Sequence, residues 1–286
     1  MKIKSILPLV IIFFLVAFAE DKVAYQIYDI KGKAGSYVKL LNDARQADII
    51  LFGEMHNNPI NHWLEFELTE DIYKIKKNNL VLGAEMFEAD DQIVLNEYLM
   101  GKISDKTFND EAKLWPNYKT DYKPLVEFAK INKLYFIAAN IPRRYANLVY
   151  SKGIEHLDSI DPEAKKWICP LPMKYDSTLK YYKEIHAMAA GHGGGNLPRS
   201  QAIKDATMAY FILKNWTKGK TVIHFNGSYH SNFYEGIVWY LKQENPDLKI
   251  VTIASAEQIS IDSLSQENMG LADYIICTPA SMTKTH

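Results

Sequence analysis

Two Gly-x-x-His sequences hold side chains that could carry chemistry. Gly53 to His56 and Gly227 to His230 each follow a short apolar run, and they also contain Glu54 and Ser228. Glu85 ends another apolar run. Imidazoles and carboxylates in one pocket could bind a divalent metal ion, serve as general acid and base near neutral pH, or hydrogen-bond the polar edge of a ligand. The spacing of these residues leaves all three uses open.

The runs before these residues belong to an alternation of strand-like and helix-like segments. Apolar runs predict strands over residues 48–52, 80–84, 134–138, 221–225 and 249–253. Amphipathic segments with start and stop signals predict helices over 59–77, 122–132, 142–151, 198–216 and 230–245. The alternation predicts an α/β fold with a mostly parallel central sheet flanked by helices.

This fold class predicts where the polar residues meet. Ligands of open α/β sheets bind at the carboxyl ends of the strands. We therefore expect one pocket to be lined by the polar residues at three strand ends, namely Glu54, His56, Glu85, Ser228 and His230. Two segments without a convincing strand, about 86–120 and 152–197, are predicted to be helical cap segments over the site.

The N-terminus has the pattern of a Sec-type secretory signal. Two lysines precede an apolar stretch from Ile6 to Phe18, which runs into a small-x-small cleavage pattern at Ala17 to Ala19. The apolar stretch is shorter than the roughly 20 residues that a spanning helix needs, which disfavours a retained anchor. We predict a cleaved signal over 1–19, a single α/β domain over 20–286, and location in the periplasm, with envelope association left open. No lipobox cysteine lies near position 20.

Charge and cysteine content narrow the classes of partner. Without the two signal lysines, the 33 basic residues become 31 against 34 acidic ones, and no basic block is present. This balance argues against a nucleic-acid partner. Cys169 and Cys277 lack the neighbours of a zinc knuckle or a CxxC pair, so a disulfide and two buried thiols both stay open.

A series of motifs gives the chain a family resemblance. In order they are GEMHNNPINH, GAEMFEADDQ, WPNYKTDYKPLVEFA, AANIPRRY, QAIKDATMA, NGSYH and ADYI. The series resembles the ChaN-type haem-binding proteins of the Tiki/TraB/erythromycin-esterase superfamily over about residues 47–275. The resemblance implies that the Gly-x-x-His sequences form two walls of a shared pocket, with Glu85 between them.

The resemblance also implies two competing functions. The first is a periplasmic haem-binding protein in haem or iron uptake or sequestration, with haem as cofactor and an outer-membrane haem receptor as a candidate partner. The second follows from superfamily relatives that are metal-dependent proteases and esterases. It is a metal-dependent hydrolase in which His56, Glu85 and His230 work with a divalent metal.

Haem requires an apolar slot, an axial ligand for iron and donors for two propionates, and tyrosinate suits ferric haem held for transport. The segment 174–196 concentrates candidate ligands, which are Tyr175, Tyr182, His186 and His192. If residues 176–189 are helical, Tyr182 and His186 lie one turn apart and could act as ligand and helper. Tyr175 or His192 could replace them, and packing in the core is the alternative explanation for all of them.

Two further expectations concern the propionates and the oligomeric state. Arg143 follows the third predicted strand at the start of a helix, where its guanidinium could pair with a propionate, and Asn140 is expected in the same pocket. An exposed aromatic haem surface on a monomer favours aggregation. We therefore expect a homodimer to form on haem binding.

Overall fold

The computed structural model describes residues 22–189 and 195–286. The predicted signal over 1–19 and the candidate ligand His192 lie outside these described residues. The strands are β1 Gln26–Asp29, β2 Ile49–Glu54, β3 Leu80–Glu88, β4 Phe136–Asn140, β5 Thr221–Gly227, β6 Ile250–Gln258 and β7 Tyr274–Pro279. The α-helices are α1 Tyr37–Ala44, α2 Pro59–Lys76, α3 Gln92–Leu99, α4 Asp105–Glu111, α5 Lys123–Asn132, α6 Arg143–Lys152, α7 Lys180–Ala189, α8 Leu197–Asn215 and α9 Ile237–Glu244.

The strands form a single sheet in the order β1-β7-β6-β2-β5-β3-β4. Every neighbouring pair is parallel except β1 and β7, which are antiparallel. This arrangement confirms the predicted α/β fold with a mostly parallel sheet flanked by helices, and each of the five predicted strands is present. Strands β1 and β7, at one edge, were not predicted.

The sheet is buried on both faces because its strands alternate apolar side chains between two cores. In β2, Ile50 and Phe52 join the core that also contains residues of α2 and α5, whereas Ile49 and Leu51 join the core that contains residues of α6, α8 and α9. Every residue of β2 is buried. The polar residue that ends it, Glu54, is therefore held inside the protein at the sheet edge.

Local capping signals set the start of α2. The side chain of Asn58 accepts hydrogen bonds from the backbone N–H groups of Ile60 and Asn61, and Pro59 occupies the first turn, where its missing N–H costs nothing. The amide of Asn58 also donates to Thr278 on β7 at 2.8 Å. The cap thus ties the loop after β2 to a distant strand.

Two predicted helices start later than expected. The helix predicted from residue 230 begins at Ile237, because Ser228–His230 and Asn232–Tyr234 form short 3₁₀ turns. His230 therefore lies on a turn at the sheet edge instead of on a helix. Helix α7 begins at Lys180, four residues after the predicted start at 176.

The two predicted cap segments contain short helices and turns. Segment 86–120 holds the end of β3, α3 and α4, and segment 152–197 holds 3₁₀ turns and α7. Their role as caps stays a prediction.

In the part of the chain that the structure describes, no helix combines the length and apolar character needed to cross a membrane. Cys169 and Cys277 are both buried free thiols, and they belong to different core clusters. The two-thiol alternative is therefore the one that the structure shows.

Candidate functional site

The polar strand ends converge because β5 lies between β2 and β3 in the sheet. Gly227 at the end of β5 is opposite Glu54 at the end of β2. The turn after Gly227 carries His230, the loop after β2 carries His56, and β3 carries Glu85. These three side chains line one cavity of about 620 Å³.

The glycines of the two Gly-x-x-His sequences allow this close approach. A Cβ on Gly53 would lie 2.8 Å from the carbonyl oxygen of Ile253 and 2.9 Å from the Cα of Ser228. A Cβ on Gly227 would lie 2.8 Å from Nε2 of His56. The backbone N–H of Gly227 also donates to Oε2 of Glu85 at 2.8 Å. A larger residue at position 53 would displace backbone atoms, and one at position 227 would displace the His56 ring.

His56 is held by a buried carboxylate. Its Nδ1 lies 2.6 Å from Oε1 of Glu54, and the same oxygen accepts a hydrogen bond from the Tyr122 hydroxyl at 2.7 Å. Burial pushes the pKa of Glu54 up, but hydrogen bonds from His56 and His62 prevail and lower that pKa to about 2. The His56 ring also packs edge-on against Trp115 with 4.9 Å between ring centroids. Nδ1 of His56 is therefore occupied, and these contacts fix the orientation of its ring at the cavity wall.

His230 lies between two buried carboxylates. Its Nδ1 is 2.5 Å from Oδ1 of Asp205, and its Nε2 is 3.1 Å from Oε1 of Glu85. Burial disfavours the imidazolium, yet the charges of Glu85 and Asp205 raise the pKa of His230 to about 10. The Glu85 carboxyl, also buried, has its pKa lowered well below the usual value chiefly by the charge of His230. Burial raises the pKa of the Asp205 carboxyl, against the charge of His230. Together these shifts favour a protonated His230 between the two carboxyl groups, and we call the three residues the buried triad.

The outer wall of the cavity combines aromatic rings with two cations. Tyr181, Tyr229 and Trp115 contribute rings, and Arg143 and Lys204 contribute positive charge. The Arg143 side chain is 71% exposed, and its Nε approaches an acidic oxygen, on Glu88, only to 3.9 Å. Both cations are therefore placed to meet an anionic ligand.

Asn140 and Ser228 were both expected in the pocket, but they line different cavities. Asn140 ends β4, lines the same cavity and is buried, and its Oδ1 has no hydrogen-bond partner among the described residues. Ser228 borders a second cavity of about 750 Å³, which Glu54 and His56 also line. Its Oγ accepts a hydrogen bond from the backbone N–H of Ser255 at 3.1 Å. The predicted pocket residues are thus divided between two adjoining cavities.

Four tyrosines form a continuous group beside the main cavity, which we call the tyrosine cluster. Tyr175 and Tyr181 lie 5.6 and 5.7 Å from the Tyr182 ring between centroids, and Tyr229 stacks on Tyr181 at 5.6 Å. Tyr182 is 1% exposed, and its hydroxyl donates to Oδ2 of Asp205 at 2.8 Å. Tyr229 is 59% exposed. The cluster therefore runs from the buried triad to the protein surface.

The structure does not place Tyr182 and His186 on one open face. Both belong to α7, but the buried side of α7 carries Tyr181, Tyr182 and Ile185, whereas His186 is exposed. Packing against α8 decides which side of the helix is buried. In this arrangement the Tyr182 oxygen is engaged by Asp205, so the proposed ligand and helper pair stays a prediction that requires this bond to open.

Comparison with known proteins identifies the family. Residues 40–241 match the family described as haem-binding uptake, Tiki superfamily, ChaN. The chain belongs to this ChaN family. It is a haem-binding family, and the match confirms the resemblance inferred from the ordered motifs.

Three similar proteins can be named, and the first of them agrees with the fold. ChaN of Campylobacter jejuni, whose structure is described as showing cofacial haem binding, superimposes with a TM-score of 0.67 and 19% identity, over 88% of this chain and 96% of that chain. An erythromycin esterase in its open conformation gives a TM-score of 0.49 at 12% identity, over 92% of this chain and 99% of that chain. The chloroplastic protein RETICULATA-RELATED 5 of Arabidopsis thaliana is 27% identical over 154 residues, which are 48% of this chain and 20% of that protein. The chain spans about a fifth of that relative's length.

This ChaN-family chain does not arrange His56, Glu85 and His230 as three metal ligands. Among the described residues, the three side chains whose donor atoms lie close enough together to bind one metal ion are other residues. The divalent-metal alternative at the trio therefore lacks support.

Three residues of this site in the ChaN-family chain were not predicted from the sequence. Asp205 and Lys204 lie on α8 within the QAIKDATMA motif, and Tyr229 lies inside the second Gly-x-x-His sequence. Asp205 could have been found, because its neighbours Ala202, Ile203 and Ala206 mark the buried side of a helix. A carboxylate on that side needs a buried partner.

Proposed function

We propose that this chain binds ferric haem beside the main cavity, with a tyrosine of the tyrosine cluster as the axial ligand. Membership of a haem-binding family supports haem as the ligand. The observation that carries the proposal is the position of the tyrosine cluster next to a cavity that presents two cations.

The residues present fit the needs of haem. The cavity of about 620 Å³ falls within the roughly 300–1,000 Å³ of small-molecule pockets. Tyrosine oxygens supply the ligand type suited to ferric iron, and Arg143 and Lys204 can pair with propionates. Tyr182 and Tyr175 are the ligands predicted from sequence, and Tyr229 joins them because its exposed hydroxyl needs no rearrangement.

Single Tyr→Phe variants at the four positions of the tyrosine cluster should identify the ligand. We expect one variant to lose or shift the Soret band of added ferric haem and to bind at least about tenfold more weakly, a change of ~1.4 kcal/mol. The phenolic oxygen is the only group that the substitution removes. Absorbance titration of each purified variant gives both readings.

Tyr135→Phe is the matched control, because Tyr135 is 39% exposed and lines a different part of the surface. It should leave the spectrum unchanged. If none of the four cluster variants alters the spectrum, the tyrosine ligand is wrong. A spectrum that changes only in a His186→Ala variant would assign the iron to that helix through histidine instead.

The propionate role of Arg143 can be measured separately. Arg143→Ala should weaken haem binding by about threefold to tenfold without moving the Soret band, because a partly exposed ion pair contributes on the order of 1 kcal/mol. Arg144→Ala is the control, since the Arg144 guanidinium lies 2.6 Å from Asp90 and does not line the cavity. Equal affinity in the Arg143→Ala variant and the wild type would remove Arg143 from the site.

The cellular role proposed here is haem or iron uptake or sequestration in the periplasm, with delivery from an outer-membrane receptor. The secretory pattern of the first residues supports this location. We also propose that two chains enclose the haem surface as a homodimer, since Tyr229 of the tyrosine cluster is exposed and α7, which carries two other tyrosines of the cluster, also exposes Met188. Size-exclusion chromatography with and without haem tests this, and an unchanged apparent mass would reject it.

A further inference from the structure

A second group of ionisable side chains lies behind His56, away from the main cavity. It contains Glu54, His62 and Glu65, each of which offers one donor atom within 4.8 Å of the others. Nδ1 of His62 is 3.1 Å from Oε2 of Glu54 and 3.2 Å from Oε2 of Glu65. The imidazole nitrogen therefore faces two carboxylate oxygens, one from β2 and one from α2.

Both carboxyl groups are buried, and that of Glu65 is incompletely satisfied. Glu54 is 2% exposed and Glu65 is 0% exposed. Oε1 of Glu65 has no hydrogen-bond partner among the described residues, and Oε2 of Glu54 faces Nδ1 of His62 at 3.1 Å. A buried carboxylate oxygen without a partner is costly, so Oε1 of Glu65 calls for a cation or a proton.

The surrounding groups orient the donor atoms toward one another. Nε2 of His62 lies 3.1 Å from the backbone oxygen of His56 and 3.3 Å from Oδ2 of Asp121. Tyr122 and His56 both hold Oε1 of Glu54, which leaves its Oε2 for the group. Partners that fix the far nitrogen of a histidine and the far oxygen of a carboxylate are typical of the outer shell of a metal site.

Asp121 is itself fixed in place. Its Oδ2 accepts a hydrogen bond from Nδ2 of Asn117 at 2.7 Å and one from the Thr285 hydroxyl at 2.8 Å. The partner of His62 is therefore held by two further groups. This rigidity argues for a preformed site.

We propose that Glu54, His62 and Glu65 bind a divalent first-row metal ion such as Zn²⁺. Binding would release the proton that His62 carries beside the two carboxylates. The neutral imidazole and the two carboxylates then supply mixed nitrogen and oxygen ligands of the kind Zn²⁺ accepts, and two negative charges neutralise the ion. Three protein donors leave a fourth position for water. The site is separate from the haem region, and the proposal does not depend on haem binding.

Such an ion would also connect the buried group to the main cavity. Glu54 would bind the metal through Oε2 while its Oε1 continues to hold Nδ1 of His56. The metal would thereby fix the carboxylate that orients His56. This is a positioning effect on the cavity wall.

The competing explanation is a carboxyl pair that shares a proton. Burial disfavours a charged His62, but its hydrogen bonds with Glu54 and Glu65 prevail and raise its pKa to about 11. Burial, and then the charge of Glu54, raise the pKa of Glu65, which would keep Glu65 protonated beside a charged His62. The two explanations give opposite results for Glu65→Gln. An amide replaces a protonated carboxyl with little change in shape, but it is a poor ligand for a divalent ion.

The test measures metal content and thermal stability of the full chain prepared without haem. Wild-type protein is treated with chelator, dialysed against excess Zn²⁺ or Mn²⁺, desalted and analysed by mass spectrometry of the metal. We expect about one ion per chain in the wild type and less than about a tenth of that in Glu65→Gln. At a hundredfold excess over Kd, the metal should raise the wild-type Tm by about 5 °C.

Glu67→Gln, on the same helix but outside the group, is the matched control and should retain the ion. A chelated wild type whose Tm does not respond to either metal overturns the proposal, and this reading does not require any variant to fold. Equal metal content in the wild type and Glu65→Gln overturns it as well. A Glu65→Gln variant as stable as the metal-free wild type, with no ion in either, would establish the shared proton. Because no haem is present, failure here leaves the haem proposal untouched.

Discussion

Replacing His230 with alanine is expected to lower the free energy of unfolding by about 3 to 5 kcal/mol, the usual cost of removing one partner from a buried ion group. The variant leaves Glu85 and Asp205 facing each other without the imidazolium between them. Both carboxyl groups are buried, at 5% and 0% exposure, so they would be left close together without the positive charge between them. Denaturant unfolding followed by circular dichroism gives the free energy directly.

His156→Ala is the appropriate comparison, because His156 is exposed and its side chain makes no ion pair among the described residues. It should change the free energy of unfolding by no more than about 0.5 kcal/mol. A loss of under 1 kcal/mol in His230→Ala would mean that the triad does not exist in solution as described. The free energy of unfolding of a His230→Gln variant should lie between those of His230→Ala and the wild type, since its amide can retain one hydrogen bond but no charge.

Gly53→Ala is expected to cost about 1 to 3 kcal/mol or more, as overpacking in a close-packed interior does. The added methyl group would lie 2.8 Å from the Ile253 carbonyl oxygen and 2.9 Å from the Cα of Ser228. Both are backbone atoms, which can move only if β6 or the turn after β5 moves. The same displacement would shift His230 relative to Glu85.

Gly35→Ala provides the control for this prediction. Its nearest contacts would be atoms of Ile27 at 3.6 Å, an ordinary van der Waals distance. When the two variants are unfolded by denaturant in parallel, their free energies of unfolding should therefore differ by at least about 1 kcal/mol. Equal stability would show that the backbone around Gly53 can move to accommodate a methyl group. The close approach of the two Gly-x-x-His turns would then not require glycine at this position.

The two histidines of the Gly-x-x-His sequences are thus held in different ways. His230 is enclosed between two carboxylates, whereas His56 has only Nδ1 engaged and lies against an aromatic wall. His56 is therefore the one placed to respond to a ligand. Glu54, which orients it, also belongs to the buried group with His62 and Glu65.

The sequence by itself determined the main strands, the fold class and the family. Buried strands are apolar over their whole length, so β2, β3 and β5 could be recognised locally. Because parallel strands end at a common edge, Glu54, Glu85 and Ser228 could be expected near one another without any knowledge of the strand order. The ordered motifs then distinguished this chain from other α/β proteins.

The partners of these residues were decided only by the tertiary structure. Asp205 reaches His230 across 25 residues, and Tyr122 reaches Glu54 across 68, contacts that depend on how α8 and the segment before α5 pack on the sheet. The pairing of Tyr182 with Asp205, rather than with His186, follows from the side of α7 that α8 covers. Local sequence spacing places residues on a helix face, but the rotation of that helix against its neighbours, which is set by the packing of the whole core, decides which face is buried.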